Sequence, residues 1–329
     1  MASPLPDLNK LKDNILNGET VALSRAITLA ESRKTTHRTF SNRLLQSLIS
    51  HTGNALRIGI TGIPGVGKST FIEALGLYLI SQGKKVAVLA VDPSSHISHG
   101  SILGDKTRME ELSKSPSAFI RPSPTSGTLG GINSSTFETV LLCESAGYDV
   151  ILIETVGVGQ SEITVAEICD VFLYLTIAST GDELQGIKRG IMEMADLVFV
   201  NKVDEKPSRA VIDTQTNIIR ALKLMPRKIQ GWVPPVILGS AIDNRNIDAC
   251  WKKLSDFFDT ARDSGYFQAQ RKKQFVERYE HLLFYYFMEK LRSSNQLQEQ
   301  TSDLKKEVES FRMNPSTAAE TWINSLTID

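Results

Sequence analysis

Residues 62–69 read Gly-Ile-Pro-Gly-Val-Gly-Lys-Ser, with Thr70 next. Glycines, a lysine and a hydroxyl at this spacing match G-x-x-x-x-G-K-[ST], a pattern whose chemistry is phosphate binding. Gly62, Gly65 and Gly67 lack a Cβ, so the loop Gly62, Ile63, Pro64, Gly65, Val66, Gly67 can aim successive N–H groups at one point. Lys68 is expected to reach β- and γ-phosphates, Ser69 to hold Mg²⁺ through its hydroxyl, and Thr70 to complete the nucleotide contacts. An apolar run at 57–61 precedes the loop and a helical pattern at 69–82 follows it. The helix adds unpaired N–H groups and the positive end of its dipole.

A second constellation, Asn201-Lys202-Val203-Asp204, closes another apolar run. The Asp204 carboxylate can accept from both N1–H and the exocyclic amine of guanine, a donor pair that adenine lacks. Asn201 can serve guanine N7 and fix the loop, while the Lys202 stem can cover the base. Ser240, Ala241 and Ile242 follow the next apolar run, and an N–H near Ala241 is expected to meet guanine O6. The implied ligands are GTP and GDP with Mg²⁺.

Three acids are candidates for the metal and the reaction. Glu154 heads Glu154-Thr155-Val156-Gly157, where an acid can hold Mg²⁺ through water and the Gly157 N–H can sense a γ-phosphate. Asp92 ends a further apolar run and Asp105 follows it by thirteen residues. Residues 178–190 carry glycines and charges between a strand end and a helix; Lys188 and Arg189 are the cations in it that could approach the nucleotide. Catalysis is expected to rest on Lys68, Asp105, Glu154, Gly157 and Lys188, and the metal on Ser69, Asp92, Asp105 and Glu154.

These residues need a scaffold that brings strand ends together. Apolar runs at 58–61, 86–91, 118–121, 150–154, 171–177, 197–201 and 236–239 alternate with helical patterns in most intervals. Continuous Val/Ile/Leu runs suit strands buried on both faces. The alternation predicts an α/β doubly wound, mainly parallel sheet with its ligands at the carboxyl ends of the strands. Residues 1–54 are expected to form an N-terminal helical extension, 55–265 the nucleotide domain and 266–329 a C-terminal helical arm. In the extension, Leu11, Ile15 and Leu16, then Leu23, Ile27 and Ala30, give two helices broken at Asn17-Gly18, and Leu44, Leu45, Leu48 and Ile49 form a third apolar patch. In the arm, 271–292 is a helical run and 304–311 a second.

The chain has 329 residues, 41% of them hydrophobic, with 37 basic and 37 acidic side chains. Zero formal charge argues against nucleic acid or a membrane surface as the main partner. The three cysteines, Cys143, Cys169 and Cys250, form no C-x-x-C pair and suit a reducing compartment. No apolar run is long enough to span a bilayer, and the N-terminus has no signal-peptide pattern, so a cytoplasmic location is expected.

Glutamate rather than aspartate at 154, with Gly157-Val158-Gly159-Gln160-Ser161-Glu162 after it, resembles the metallochaperone subfamily of P-loop GTPases. The blocks 91–95, 103–109, 119–131, 154–162 and 181–190 resemble the MeaB/ArgK type, G-protein chaperones of methylmalonyl-CoA mutase related to the human methylmalonic aciduria type A protein. The resemblance covers nearly the whole chain. It implies a homodimeric GTPase with a C-terminal dimerisation arm. It also implies gating of adenosylcobalamin transfer from the cob(I)alamin adenosyltransferase to the adenosylcobalamin-dependent mutase, and protection or reactivation of that mutase. That the GTPase is slow alone and stimulated by its partner is expected from the residues: Val158 follows Gly157, Gln160 comes only three residues after it, and no Arg stands in an obvious finger position beside the phosphate loop. The 178–190 block would be the family's switch III. One departure is His96-Ile97-Ser98-His99, where small residues or Pro are expected; the histidines read as exposed loop residues rather than a metal pair. Two other readings compete, a P-loop small-molecule kinase or ATPase and a metal-insertion GTPase for another enzyme. The first leaves Asn201-Lys202-Val203-Asp204 unexplained, and the second lacks a Cys-rich or His-rich cargo motif.

Overall fold

The computed structural model describes residues 5–32, 34–92, 109–124, 135–155, 160–178, 189–293 and 295–325. Its strands are β1 Leu56–Gly62, β2 Val86–Asp92, β3 Ala118–Pro124, β4 Val150–Thr155, β5 Val171–Ile177, β6 Leu197–Asn201 and β7 Val236–Leu238. They form one all-parallel sheet in the order β3-β2-β4-β1-β5-β6-β7. All seven expected strands are present, and β1, which feeds the phosphate loop, lies at the centre.

The two faces of the sheet divide by the two-residue period of a strand. Ile58, Ile60, Val88, Leu152, Leu173 and Leu175 face one core, with Phe71, Leu75 and Leu79 of helix α4 (Lys68–Ser81). Leu254, Phe257 and Phe258 of α10 (Ile247–Asp263) join the same core. Ala87, Leu89, Ile151, Ile153 and Phe172 face the other. A smaller cluster beside β6, next to the β7 edge, joins Val198 and Val200 to Val211, Ile218 and Leu222 of α9 (Arg209–Lys223). Helix α5 (Glu110–Lys114) presses Leu112 onto Gly76 of α4, where a Cβ would stand 2.8 Å from Leu112 Cδ2. Short α8 (Arg189–Met194) precedes β6.

The N-terminal extension holds three helices, α1 Leu8–Leu16, α2 Thr20–Ala30 and α3 Thr35–Leu48, where the apolar pattern shows two and a patch. Helix α3 buries Ser41, Leu44 and Leu48 and has no apolar period in its first turns, so its start is invisible to pattern reading. Leu11, Ile15, Leu23, Ile27, Leu44 and Leu48 share the second core with Phe137, Val140 and Leu141 of α6 (Thr136–Ser145). One compact unit therefore spans residues 1–269, extension included.

A charged pair lies inside this unit. Arg57 of β1 donates from Nε and Nη2 to the two Glu144 carboxylate oxygens of α6 at 2.9 and 3.0 Å, and both side chains have no exposure. Glu144 also accepts from the Gly53 N–H, and the Arg57 N–H donates to Asp170. A bidentate guanidinium–carboxylate contact of this kind is bound by its hydrogen bonds as much as by its charge.

The second unit spans residues 270–329. It contains most of α11 (Tyr266–Arg292), with α12 (Asn295–Glu309) and α13 (Pro315–Asn324). Helix α12 begins nine residues before the second expected helical run at 304–311, and α13 lies beyond that run. Its start is a cap: the Asn314 side chain accepts from the Ser316 N–H and Pro315 occupies the first turn. Within this unit Tyr279, Leu283, Phe284 and Phe287 of α11 are exposed. Among the described residues, no helix is long and apolar enough to cross a membrane.

Candidate nucleotide site

The phosphate loop leaves β1 at Gly62. A Cβ there would lie 2.5 Å from the Leu175 carbonyl oxygen, so no larger residue fits without moving β5. Gly65 and Gly67 have φ of +80° and +93°, the left-handed region that glycine adopts at least cost. Val66 is fully buried beneath the loop, while Ile63, Pro64 and Gly65 are exposed. Helix α4 starts at Lys68, directly after Gly67, so its first N–H groups open toward the loop.

The Lys68 ammonium donates to the Gly62 carbonyl at 2.7 Å and to that of Ile63 at 3.4 Å, folding back over its own loop. Burial holds its pKa below the usual lysine value, against the opposing fields of Glu154 and Glu162. Ser69 Oγ donates to Glu154 Oε1 at 3.4 Å, so a hydroxyl and a carboxylate converge beside the loop. Such an oxygen pair fits a hard divalent cation. Thr70 is exposed on the first turn of α4.

Glu154 pairs in register with Ile60, and Thr155 follows it. Thr155 Oγ1 donates to Thr61 Oγ1 at 2.8 Å, and both hydroxyls are fully buried. This bond ties together the two strand ends that carry the phosphate loop and the Glu154 acid. Glu162 belongs to α7 (Gln160–Ile168) and is 1% exposed. Helix α7 crosses β1 closely, since a Cβ on Gly59 would lie 2.8 Å from Val165 Cγ1 and 2.9 Å from Cys169 Sγ.

Asn201 and Asp204 stand at the end of β6. The Asn201 amide donates from Nδ2 to the Val66 carbonyl and accepts at Oδ1 from the Ala241 N–H, both at 2.9 Å. Asn201 therefore joins three loops. The Ala241 N–H, expected to meet guanine O6, is taken by this contact. Lys202, at φ +59°, donates from Nζ to the Gly65 carbonyl at 2.8 Å. Asp204 is exposed, Ser240 and Ala241 are buried, and Ile242 is 81% exposed. The structure thus brings Gly62 to Thr70, Glu154, Asn201, Lys202 and Ser240–Ala241 into one linked cluster at the carboxyl ends of the strands.

Asp105, Gly157 and Lys188 lie outside the described residues, as do His96, His99 and the side chains of Asp92 and Gln160. The ties from Asn201 to Val66 and from Lys202 to Gly65 escape sequence reading, because their partners are backbone carbonyls more than 130 residues away. The Thr61–Thr155 bond had a faint signal, a threonine directly before Gly62 and another directly after Glu154.

Comparison with known proteins agrees with this geometry. The family model described as methylmalonyl Co-A mutase-associated GTPase MeaB matches residues 23–296. The chain is 50% identical over 260 residues to "GTPase ArgK" of Escherichia coli, covering 79% of this chain and 78% of that one. It is 43% identical over 326 residues to "Methylmalonic aciduria type A homolog, mitochondrial" of Mus musculus, covering 95% and 78%. A crystal structure described as LAO/AO transport system kinase aligns with a TM-score of 0.76 and 36% identity over 98% of this chain and 99% of that one. The family model over residues 23–296, with relatives 43–50% identical over most of their length, places the chain in the MeaB family of methylmalonyl-CoA mutase-associated GTPases.

Proposed function

We propose that this protein binds and hydrolyses GTP and acts as a chaperone of an adenosylcobalamin-dependent methylmalonyl-CoA mutase. The observation that carries the nucleotide reading is the Asn201 bridge to Val66 and Ala241, which holds a base-reading strand end against a phosphate loop. Gly62 to Thr70 would bind the triphosphate, and Asn201, Lys202, Asp204, Ser240, Ala241 and Ile242 would surround the base.

The γ-phosphate would compete with the Gly62 and Ile63 carbonyls for the Lys68 ammonium. Its negative charge would hold that ammonium protonated against the burial that disfavours it. Ser69 and Glu154, with Asp92 and Asp105, would hold Mg²⁺, which supplies neutralisation of phosphate charge when bound. Water would attack the γ-phosphate in line, with the Gly157 N–H sensing that group and Lys188 delivering a further positive charge. Hydrolysis would be slow alone and faster with the mutase bound.

The partner assignment follows the family. The chaperone would gate adenosylcobalamin transfer from the cob(I)alamin adenosyltransferase to the mutase, and protect or reactivate the mutase. The exposed apolar residues of α11 support a homodimer made through residues 266–329. The cytoplasm is the proposed site of action. The name of the solved relative keeps a small-molecule kinase in view, and a nucleotide panel separates the two. Asp204→Asn should weaken GTP binding by about 1–3 kcal/mol through a lost charge-assisted pair and partly rescue xanthine nucleotides. GTP affinity unchanged in that variant, or a preference for ATP with phosphate passed to an acceptor, overturns the reading.

A further inference from the structure

The loop after β7 is built around Arg245. The Ser240 N–H donates to the Arg245 carbonyl at 3.2 Å and the Arg245 N–H to the Ser240 carbonyl at 2.8 Å, which closes residues 240–245 into a narrow turn. Asn244 and Asn246 sit at φ +54° and +60°, left-handed angles that aspartate and asparagine accept more readily than other side chains. Ser240 Oγ donates to Asp243 Oδ2 at 2.7 Å, and Arg245 Nη2 lies 3.6 Å from the same oxygen. The other arm of the guanidinium, Nη1, reaches across to the neighbouring loop and donates to the Val203 carbonyl at 2.9 Å.

That carbonyl belongs to the peptide joining Val203 to Asp204. On its other side the Val203 N–H donates to the Gly239 carbonyl at 3.0 Å, and the Val203 side chain is 3% exposed. Val203 is thus pinned at its N–H by the Gly239 carbonyl just after β7, at its side chain by the core, and at its carbonyl by Arg245. Asp204 is exposed, so its side chain owes its direction to the backbone it hangs from. Lys202, two residues before Asp204, adopts a left-handed φ of +59°. The chain therefore turns sharply before Asp204, and the Arg245 contact fixes the peptide plane on leaving the turn.

We propose that Arg245 is a specificity-positioning residue: by holding the Val203 carbonyl it orients the Asp204 carboxylate toward the amine edge of a guanine base. The inference rests on the guanine reading of Asp204. Asp243 holds the guanidinium in place from the other side. Two loops that each touch the base are locked together by one side chain that does not touch it.

The test uses the full-length protein and three nucleoside diphosphates, GDP, IDP and ADP. Guanine and hypoxanthine differ in the 2-amino group that the second Asp204 oxygen accepts, so the GDP-over-IDP preference reports the direction of that carboxylate. Arg245→Ala should lower this preference by about tenfold, the scale of one charge-assisted hydrogen bond, while IDP affinity changes much less. Arg245→Lys, which can still reach the carbonyl with one N–H, should recover part of the preference. Asp243→Ala should shift it in the same direction by less. A purely structural role lowers GDP and IDP affinity together and leaves their ratio intact, and that result overturns the proposal. If Arg245→Ala is too unstable to assay, the ratio in Arg245→Lys and Asp243→Ala decides, and an unchanged ratio in both overturns it equally. A parent protein with no preference for GDP over ADP would instead remove the guanine reading and this inference with it. A parent that prefers GDP over both IDP and ADP, with Arg245→Ala keeping its full ratio, removes the inference alone.

Discussion

Replacing Asn201 by alanine deletes one amide and two hydrogen bonds of 2.9 Å, one to the Val66 carbonyl and one from the Ala241 N–H. Val66 is fully buried and Ala241 is 3% exposed, so both backbone groups lose their partner where water has poor access. An unsatisfied buried backbone group costs about 1–3 kcal/mol, so the pair amounts to about 2–6 kcal/mol if both stay dry. Asn201→Asp separates the two contacts. Its carboxylate still accepts from the Ala241 N–H but sets an oxygen against the Val66 carbonyl, so it should be no milder than alanine. Urea unfolding of the nucleotide-free protein reads the loss as a lower midpoint at constant slope. GDP affinity, measured on the same samples, should fall as the phosphate loop and the base loop lose their shared anchor. A change below about 0.5 kcal/mol with GDP binding intact would refute the claim that Asn201 holds the site together.

Glu144→Ala removes the bidentate carboxylate from the fully buried Arg57 guanidinium and should cost about 3–5 kcal/mol in thermal or urea unfolding; a loss under 1 kcal/mol would mean water or another group takes over the carboxylate's role. Removing the C-terminal arm should leave nucleotide binding intact and yield a monomer by light scattering. The cut belongs after Ala269, because Phe267 is 5% exposed in the core of the first unit and a cut at 266 would remove it. A truncated protein that remains dimeric places the interface elsewhere.

Much of this fold was legible in the sequence. The seven strands show because runs buried on both faces need no alternation, and the phosphate loop shows because its glycines are dictated by backbone angle and close approach. The strand end at Asn201 shows because Asn-Lys-x-Asp directly after an apolar run is a pattern of residue types that can be read without the fold. What escaped detection depends on long-range or local polar contacts. Arg57 and Glu144 meet across 87 residues with no pattern to join them. Helix α13 is announced by one cap, Asn314 before Pro315, in a stretch with a weak apolar face. Arg245 reads as an ordinary loop cation until the fold brings Val203 beside it.

A guanine-nucleotide cycle coupled to a cobalamin enzyme would show itself in the release of phosphate from GTP. The measurement compares the protein alone, with an adenosylcobalamin-dependent methylmalonyl-CoA mutase, and with the same mutase and Lys188→Ala. Release should be slow alone and clearly stimulated by the mutase, and Lys188→Ala should lose most of that stimulation at nearly unchanged basal rate and GTP affinity. Full stimulation of Lys188→Ala would remove that residue's role and turn attention to Asp105 or Gln160. A mutase that neither binds the protein nor changes its rate would contradict the account.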